Sequence, residues 1–262
     1  SNTDESLIYV AAQSEICFFK PDELAKLSYH SLSKDLPEEH RNFDEVWKVF
    51  KGSNEVYFCT FSKIFVYYQN QLADVISIPE SLDFFFINNR LYAQTIAEGF
   101  QILFNGDLNE ISSLQLNRTE TVIATIKDSE NAVLFITNKG RAISSSGGLK
   151  FDIGSQDNFK ITLNITKAVR LSTGNIAIGT EQHGLIIIDE EGNIISHLTK
   201  NRGIDSKTIV TMLEDLDGNL WVARNNGISV VELGIPFSYI DEDFNLPGSG
   251  YDAYSDSKNL YL

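Results

Sequence analysis

The stretch Val210-Thr211-Met212-Leu213-Glu214-Asp215-Leu216-Asp217-Gly218-Asn219-Leu220-Trp221-Val222-Ala223-Arg224-Asn225-Asn226-Gly227-Ile228-Ser229-Val230-Val231 decides the fold of this 262-residue chain. Apolar runs flank Asp217-Gly218-Asn219, and a third follows Asn226-Gly227. Gly, Asn and Asp tolerate the positive φ that a tight turn between antiparallel strands requires. The segment therefore reads as three strands of a meander. A weaker copy precedes it, Ala168 to Thr180 with Thr173-Gly174-Asn175 at the turn, then His183-Gly184 and the strand Leu185 to Ile188. Two copies of one meander at a fixed offset indicate a repeat.

Aligning each copy on the place of Trp221 gives Tyr9, Tyr57, Tyr92, Leu134, Ala177, Trp221 and Tyr261, spaced 48, 35, 42, 43, 44 and 40 residues apart. A short apolar run surrounds each of these anchors. Thr stands three residues later in four copies (Thr60, Thr95, Thr137, Thr180), and a Gly follows in four (Gly99, Gly140, Gly184, Gly227). A unit of about 42 residues with four short strands predicts an all-β chain, a β-propeller of four-stranded antiparallel blades. The expected single domain covers 1–262, with about six to seven blades near 7–42, 43–80, 81–116, 117–163, 164–203 and 204–245, and a partial one at 246–262. The anchor position, Trp221 included, is expected to pack between blades. Asp83-Phe84-Phe85-Phe86 reads as a buried inner strand. Asp22 to Leu27 is a short helix candidate, and Leu32 to Phe43 reads as a long polar loop.

The first copy starts at its second strand, whereas the last supplies a first strand at 251–254 and stops within its second at Leu262. Two readings stay open. The strand at 251–256 completes the first blade and closes a six-bladed ring, or the chain is a piece of a longer protein. The second is preferred, because a natural domain seldom ends inside a core strand and leaves an open edge. Ser1-Asn2 would then be the remnant of a tag, outside fold reasoning.

A net charge of −15 repels a phosphate backbone and argues against nucleic-acid binding by this segment. No apolar stretch approaches the ~20 residues that span a bilayer, so any membrane link would run through segments further along. The 17 Phe and 10 Tyr suffice for packing between blades. Cys17 and Cys59 are expected as buried free thiols, with a disulfide as the alternative in an exported chain. The four His show no ligand spacing, and neither a metal site nor a cofactor is expected.

Motifs for catalysis are few. Ser146-Gly147-Gly148 lacks the Lys and helix of a phosphate loop. Asp215 to Asn219 has the Gly misplaced for a calcium loop and reads as a hairpin turn. His183, in the turn Glu181-Gln182-His183-Gly184, is the one nucleus for a general base, and no catalytic residue is assigned.

A site is expected where loops converge. In a four-stranded blade the turns between strands two and three share a face with the links between blades. That rim carries Asn138, Lys139, Glu181, Gln182, His183, Arg202, Arg224 and Asn225 as candidate ligand-binding residues. Their mixture suits hydrogen bonding to a polar ligand such as a glycan or peptide.

The run Ile209 to Asp215 leading into Asp217-Gly218-Asn219-Leu220-Trp221-Val222 and Asn226-Gly227-Ile228 resembles the two-component regulator propeller repeat. Its usual form is Asp-x-x-Gly-Asn-Leu-Trp-hydrophobic-Gly-Thr and then Gly-Leu or Gly-Ile. One copy keeps Gly179-Thr180 but has Ala177 for Trp; the next keeps Trp221 but has Ala223-Arg224 for Gly-Thr. The likeness is specific over about 165–233. The order Ile8-Tyr9-Val10-Ala11, Phe43 to Val49, Gly227-Ile228-Ser229, Pro236-Phe237-Ser238 and Leu246-Pro247-Gly248 is similar to the N-terminal propeller of large bacterial sensor regulators. In that family propellers precede a three-tyrosine immunoglobulin-like domain, a membrane span and a kinase or DNA-binding output. The resemblance implies a periplasmic, extracytoplasmic sensor region, often responding to glycans. The expectation is a non-enzymatic propeller that passes ligand binding, or contact with a second propeller or homodimer partner, to a membrane-linked output. A polysaccharide lyase or hydrolase and a pure protein-interaction scaffold are the alternatives.

Overall fold

The computed structural model describes residues 7–111, 113–117, 119–129, 132–155, 163–199, 204 and 207–233, and the backbone of two short strands at 254–255 and 260–261. The first sheet joins β1 (Ile8–Ala12), β2 (Glu15–Pro21) and β3 (Leu27–Ser31). The second holds β4 (Val46–Lys51), β5 (Glu55–Thr60), β6 (Lys63–Tyr68) and β7 (Gln71–Ser77). The third holds β8 (Ser81–Ile87), β9 (Arg90–Thr95), β10 (Gly99–Phe104) and β11 (Asp107–Glu110). The fourth holds β12 (Val122–Lys127), β13 (Val133–Thr137), β14 (Arg141–Ser144) and β15 (Leu149–Asp152). The fifth holds β16 (Ile165–Arg170), β17 (Ile176–Thr180), β18 (Leu185–Ile188) and β19 (Ile194–Leu198). The sixth joins β20 (Ile209–Glu214), β21 (Asn219–Arg224) and β22 (Gly227–Glu232). Finally β23 (Tyr254–Ser255) pairs antiparallel with β24 (Leu260–Tyr261).

Every sheet is an up-and-down meander in chain order, and successive sheets are joined through their first strands. β8, β12, β16 and β20 stand side by side, so the sheets follow one another about an axis. β1 carries the anchor Tyr9 and packs against β4 as β17 packs against β20. The first sheet thus corresponds to strands two to four of the others.

Cores lie between sheets, and the anchors of the first five repeats face the sheet that follows. Tyr9 meets Phe58 at a ring separation of 6.1 Å, Tyr57 meets Phe86 at 5.8 Å, and Tyr92 meets Phe135 at 5.6 Å. Leu134 packs with Ile165 and Ile178 of the fifth sheet, and Ala177 with Met212 and Leu220 of the sixth. Each fully buried aliphatic or aromatic side chain contributes about 1.5–3 kcal/mol of transfer free energy. Phe84 and Phe85 of β8 are buried, as the aromatic run predicts.

Two local expectations are corrected, at Asp22 to Leu27 and at Trp221, and the loop Leu32 to Phe43 is found with two short turns in it. Asp22 to Leu27 is no helix: the Asp22 carboxylate accepts the N–H groups of Leu24 and Lys26, Ala25 sits at φ +59°, and β3 begins at Leu27. A short acidic side chain that bonds its own backbone diverts the chain from helical pairing. The polar stretch Leu32 to Phe43 forms two single 3-10 turns and lends Leu32, Leu36 and Phe43 to the core between the first two sheets. Trp221 is 45% exposed, not packed between sheets. Its side of the sixth sheet points away from the fifth, and among the described residues no sheet covers it.

Candidate functional site

The turns between second and third strands owe their form to the repeated Thr. Thr180 Oγ1 donates to the Gly184 carbonyl at 2.9 Å and accepts the His183 N–H at 2.8 Å. Thr60 does the same with the Lys63 carbonyl and N–H, and Thr95 with the Gly99 carbonyl and Glu98 N–H. Thr137 accepts the Arg141 N–H. Such a hydroxyl satisfies a buried turn from within, which is why all four are buried polar residues.

These turns are also laced to the links between sheets. Ile165 N–H donates to the Asn138 carbonyl at 2.8 Å, while Glu181 N–H donates to the Asn164 carbonyl at 3.0 Å. Two adjacent link residues thus tie two neighbouring turns together. Gly184 N–H then donates to the Lys207 carbonyl, Thr208 Oγ1 donates to the Glu181 carbonyl, and Ile209 pairs with Arg224. The turns at Asn138, Glu181 and Arg224 therefore form one hydrogen-bonded rim.

On that rim the expected residues have different freedoms. Lys139, Glu181, Gln182 and Asn225 are exposed. Asn138 is committed to the fold: its side-chain oxygen accepts the Thr121 N–H at 3.1 Å and its amide donates to the Thr119 carbonyl. His183 is half-buried, and its carbonyl lies 2.7 Å from His197 Nε2. Arg224 is half-buried, with Nη1 3.4 Å from Asn226 Oδ1 and a buried Nε that has no acceptor. Arg202 lies outside the described residues.

One feature of the rim was not legible in the sequence. The pairing of first with second strand skips one residue at the same place in five sheets: Trp47, Leu82, Ile123, Thr166 and Val210. A β-bulge re-aims a side chain and breaks the alternation from which facing is read. Each skipped residue follows directly on the pair nearest the rim, Val46 with Thr60, Ser81 with Thr95, Val122 with Thr137, Ile165 with Thr180, and Ile209 with Arg224. Trp47, Leu82 and Val210 are 43%, 50% and 51% exposed. No composition or periodicity reports such a bulge.

Away from the rim, a cavity of about 400 Å3 opens between the third and fourth sheets, lined by Arg90, Tyr92, Glu110, Ser113, Phe135 and Ser145. The serines are occupied in the fold: Ser113 Oγ donates to the Ser145 carbonyl and Ser145 Oγ accepts the Val133 N–H. Burial raises the Tyr92 hydroxyl's pKa against the opposing pull of Arg90, which hydrogen-bonds it.

Neither thiol is poised for chemistry. Cys17 and Cys59 are free and buried, and burial pushes both pKa values up, most strongly at Cys59. Among the described residues no three of His, Cys, Asp and Glu are grouped to hold a metal ion, and no helix is long and apolar enough to cross a membrane.

Comparison with solved structures returns β-propellers. The WD40 β-propeller domain of Doa1 superposes with a TM-score of 0.59 at 12% identity, over 87% of this chain and 75% of that one. The chain is a β-propeller. An extracellular domain from B. thetaiotaomicron assigned to the hybrid two-component system BT3049 superposes with a TM-score of 0.66 at 14% identity. That match covers 99% of this chain and 37% of the other. The corresponding domain of BT4673 gives 0.62 at 16% identity, over 98% of this chain and 36% of that one. The propeller thus spans little more than a third of the two extracellular domains it resembles. No protein-family model matches the sequence, and no curated protein matches it.

Proposed function

We propose that this propeller is an extracytoplasmic ligand-sensing segment of a bacterial signal-transduction regulator, and that it works by binding and not by catalysis. The observation that carries the reading is its likeness, over nearly its whole length, to extracellular domains assigned to two-component systems. The sequence resemblance to the two-component regulator propeller repeat points the same way, and so does the rim. There Lys139, Glu181, Gln182 and Asn225 offer exposed polar groups on turns fixed by one hydrogen-bond network, a pre-organised surface for a polar ligand such as a glycan or peptide. Signalling requires that the ligand favour one arrangement of this propeller and its neighbours over another, since binding shifts an equilibrium only by its differential affinity.

The test is calorimetric titration with a panel of oligosaccharides and capped peptides, on the wild type and on the triple variant Lys139→Ala, Gln182→Ala, Asn225→Ala. The expected result is a binder whose affinity falls at least about tenfold (1.4 kcal/mol) in the variant. Binding that survives the triple substitution unchanged places the site elsewhere. Release of reducing or unsaturated products from any polysaccharide would contradict the non-catalytic reading.

A further inference from the structure

Five inner strands carry the same bulge one step from the rim, and in three of them the displaced residue is a large apolar side chain left open to solvent. Trp47, Leu82 and Val210 occupy this place, with the partly buried Ile123 and the smaller Thr166 between them. Exposed large hydrophobics scattered singly need no explanation, but a set in one structural position of successive repeats does. The inner strand pairs only with its second strand, and the bulge interrupts that pairing. The free edge of the inner strand is therefore the one facing the axis, and the skipped residue is released from the ladder beside it. One bulge residue reaches the next inner strand: Thr166 Oγ1 donates to the carbonyl of Ile209, the residue before Val210, at 2.6 Å. Trp47 is steadied by Phe61 of the adjoining turn, with ring centroids 5.7 Å apart.

We propose that these bulge residues form an apolar collar around the axis on the rim face, and that it receives an apolar side chain of a peptide ligand. The proposal rests on the rim as the binding face and narrows what binds there. Leu82, Ile123 and Val210 carry no hydrogen-bonding group, so a sugar driven among them would leave hydroxyls without partners, at about 1–3 kcal/mol each. An apolar side chain loses nothing there and gains about 25 cal/mol for each Å2 removed from water. The rim turns add the exposed Lys139, Glu181 and Gln182, whose polar groups can pair with the amides of a peptide. An apolar centre inside a polar perimeter is the anatomy of a peptide-binding hot spot.

The experiment uses the full chain with Trp221→Phe, which leaves Trp47 as the sole tryptophan, and capped pentapeptides differing only at the central residue. Peptides with central Phe or Leu are expected to change Trp47 emission on binding, and to bind at least about tenfold more tightly than the same peptide with central Ser. Leu82→Ser, exposed and therefore tolerated by the fold, is expected to erase that preference while far-UV circular dichroism stays unchanged. Equal binding of Phe and Ser peptides, or a preference that survives Leu82→Ser, overturns the collar but leaves the rim reading standing. A glycan that binds and changes Trp47 emission, with no peptide doing so, overturns the peptide assignment. Binding lost in the Lys139, Gln182, Asn225 triple variant but unaffected at Leu82 separates failure of this proposal from failure of the rim.

Discussion

The fifth and sixth blades are successive copies of one sequence and differ at three equivalent places. At the anchor, Ala177 is fully buried beneath the sixth sheet, whereas Trp221 is 45% exposed. Two residues on, Gly179 lies so near the next inner strand that a Cβ would come within 2.6 Å of Ile209 Cγ2, and its counterpart is Ala223. At the turn, buried Thr180 closes on Gly184, while Arg224 pairs directly with Gly227 around Asn225 and Asn226. The repeat keeps small, turn-closing residues where another described sheet presses on it, and departs from them where none does. What looks like sequence drift follows the packing.

That contrast can be broken by substitution, with unfolding free energies from urea melts as the readout. Gly184→Ala has the largest expected effect, a loss of about 3 kcal/mol. Gly184 sits at φ +73° and its Cβ would lie 2.3 Å from the Leu198 carbonyl oxygen, so strain of about 1–2 kcal/mol adds to a clash with backbone. Thr180→Val comes next, costing about 2 kcal/mol because the His183 N–H loses the hydroxyl that accepts it and the Gly184 carbonyl keeps only the Thr180 N–H. Arg224→Ala, at the same place in the sixth blade, is expected to stay within about 0.5 kcal/mol. Equal costs at Thr180 and Arg224 would remove the distinction between the two turns.

A smaller effect sharpens the comparison of turns. Asp189 to Asn193 and Asp215 to Asn219 share the pattern Asp-x-x-Gly-Asn and share their bonds. In each the Asp carboxylate accepts the Asn N–H, at 2.7 and 2.9 Å, and the Gly has positive φ. Asp22 to Lys26 is the same turn with Ala25 in the Gly place at φ +59°. Ala25→Gly is therefore expected to stabilise the protein by about 1 kcal/mol, the left-handed strain net of the added chain entropy. A destabilisation there would mean the three turns are not equivalent.

The acid limb of stability gives the mildest test. The Asp215 carboxyl is held below its ordinary pKa, first by the Trp221 indole N–H, which donates at 2.7 Å, and Asp189 is held down by Asn193. A carboxylate with a depressed folded pKa adds stability that is full above its unfolded value, near 4, and is lost as pH falls through the folded value. Melting temperatures are expected to fall between about pH 5 and pH 2, and Asp215→Asn to show a shallower fall. An identical acid profile in the variant would deny Asp215 this role.

The sequence carried the architecture because its information is periodic. The anchors recur once per blade, the Thr three residues later and the Gly of the turn in four copies each, and each maps onto the same strand or turn. It misplaced Asp22 to Leu27, because Asp22 and Lys26 form a helix-like pattern until the carboxylate turns back on its own backbone. It misjudged Trp221, because strand register says which way a residue points and not whether a sheet waits there. On the rim it found the turns but not their obligations: Asn138 reads as a free amide, yet it holds the Thr119–Thr121 link. The bulge residues Trp47, Leu82 and Val210 were invisible, since a single skipped pairing leaves no trace in composition.

The central claim is that the anchors Tyr9, Tyr57, Tyr92, Leu134 and Ala177 each pack against the blade that follows about one axis. A pair of double-mutant cycles tests this most directly, with Tyr92→Ala and Phe135→Ala in adjacent blades and Tyr92→Ala and Trp221→Ala as the distant control. The ring geometry of Tyr92 and Phe135 predicts a coupling of about 1 kcal/mol for the first pair and none beyond error for the second. No coupling between Tyr92 and Phe135, or equal coupling to Trp221, would contradict the succession of blades on which the rim and its collar depend.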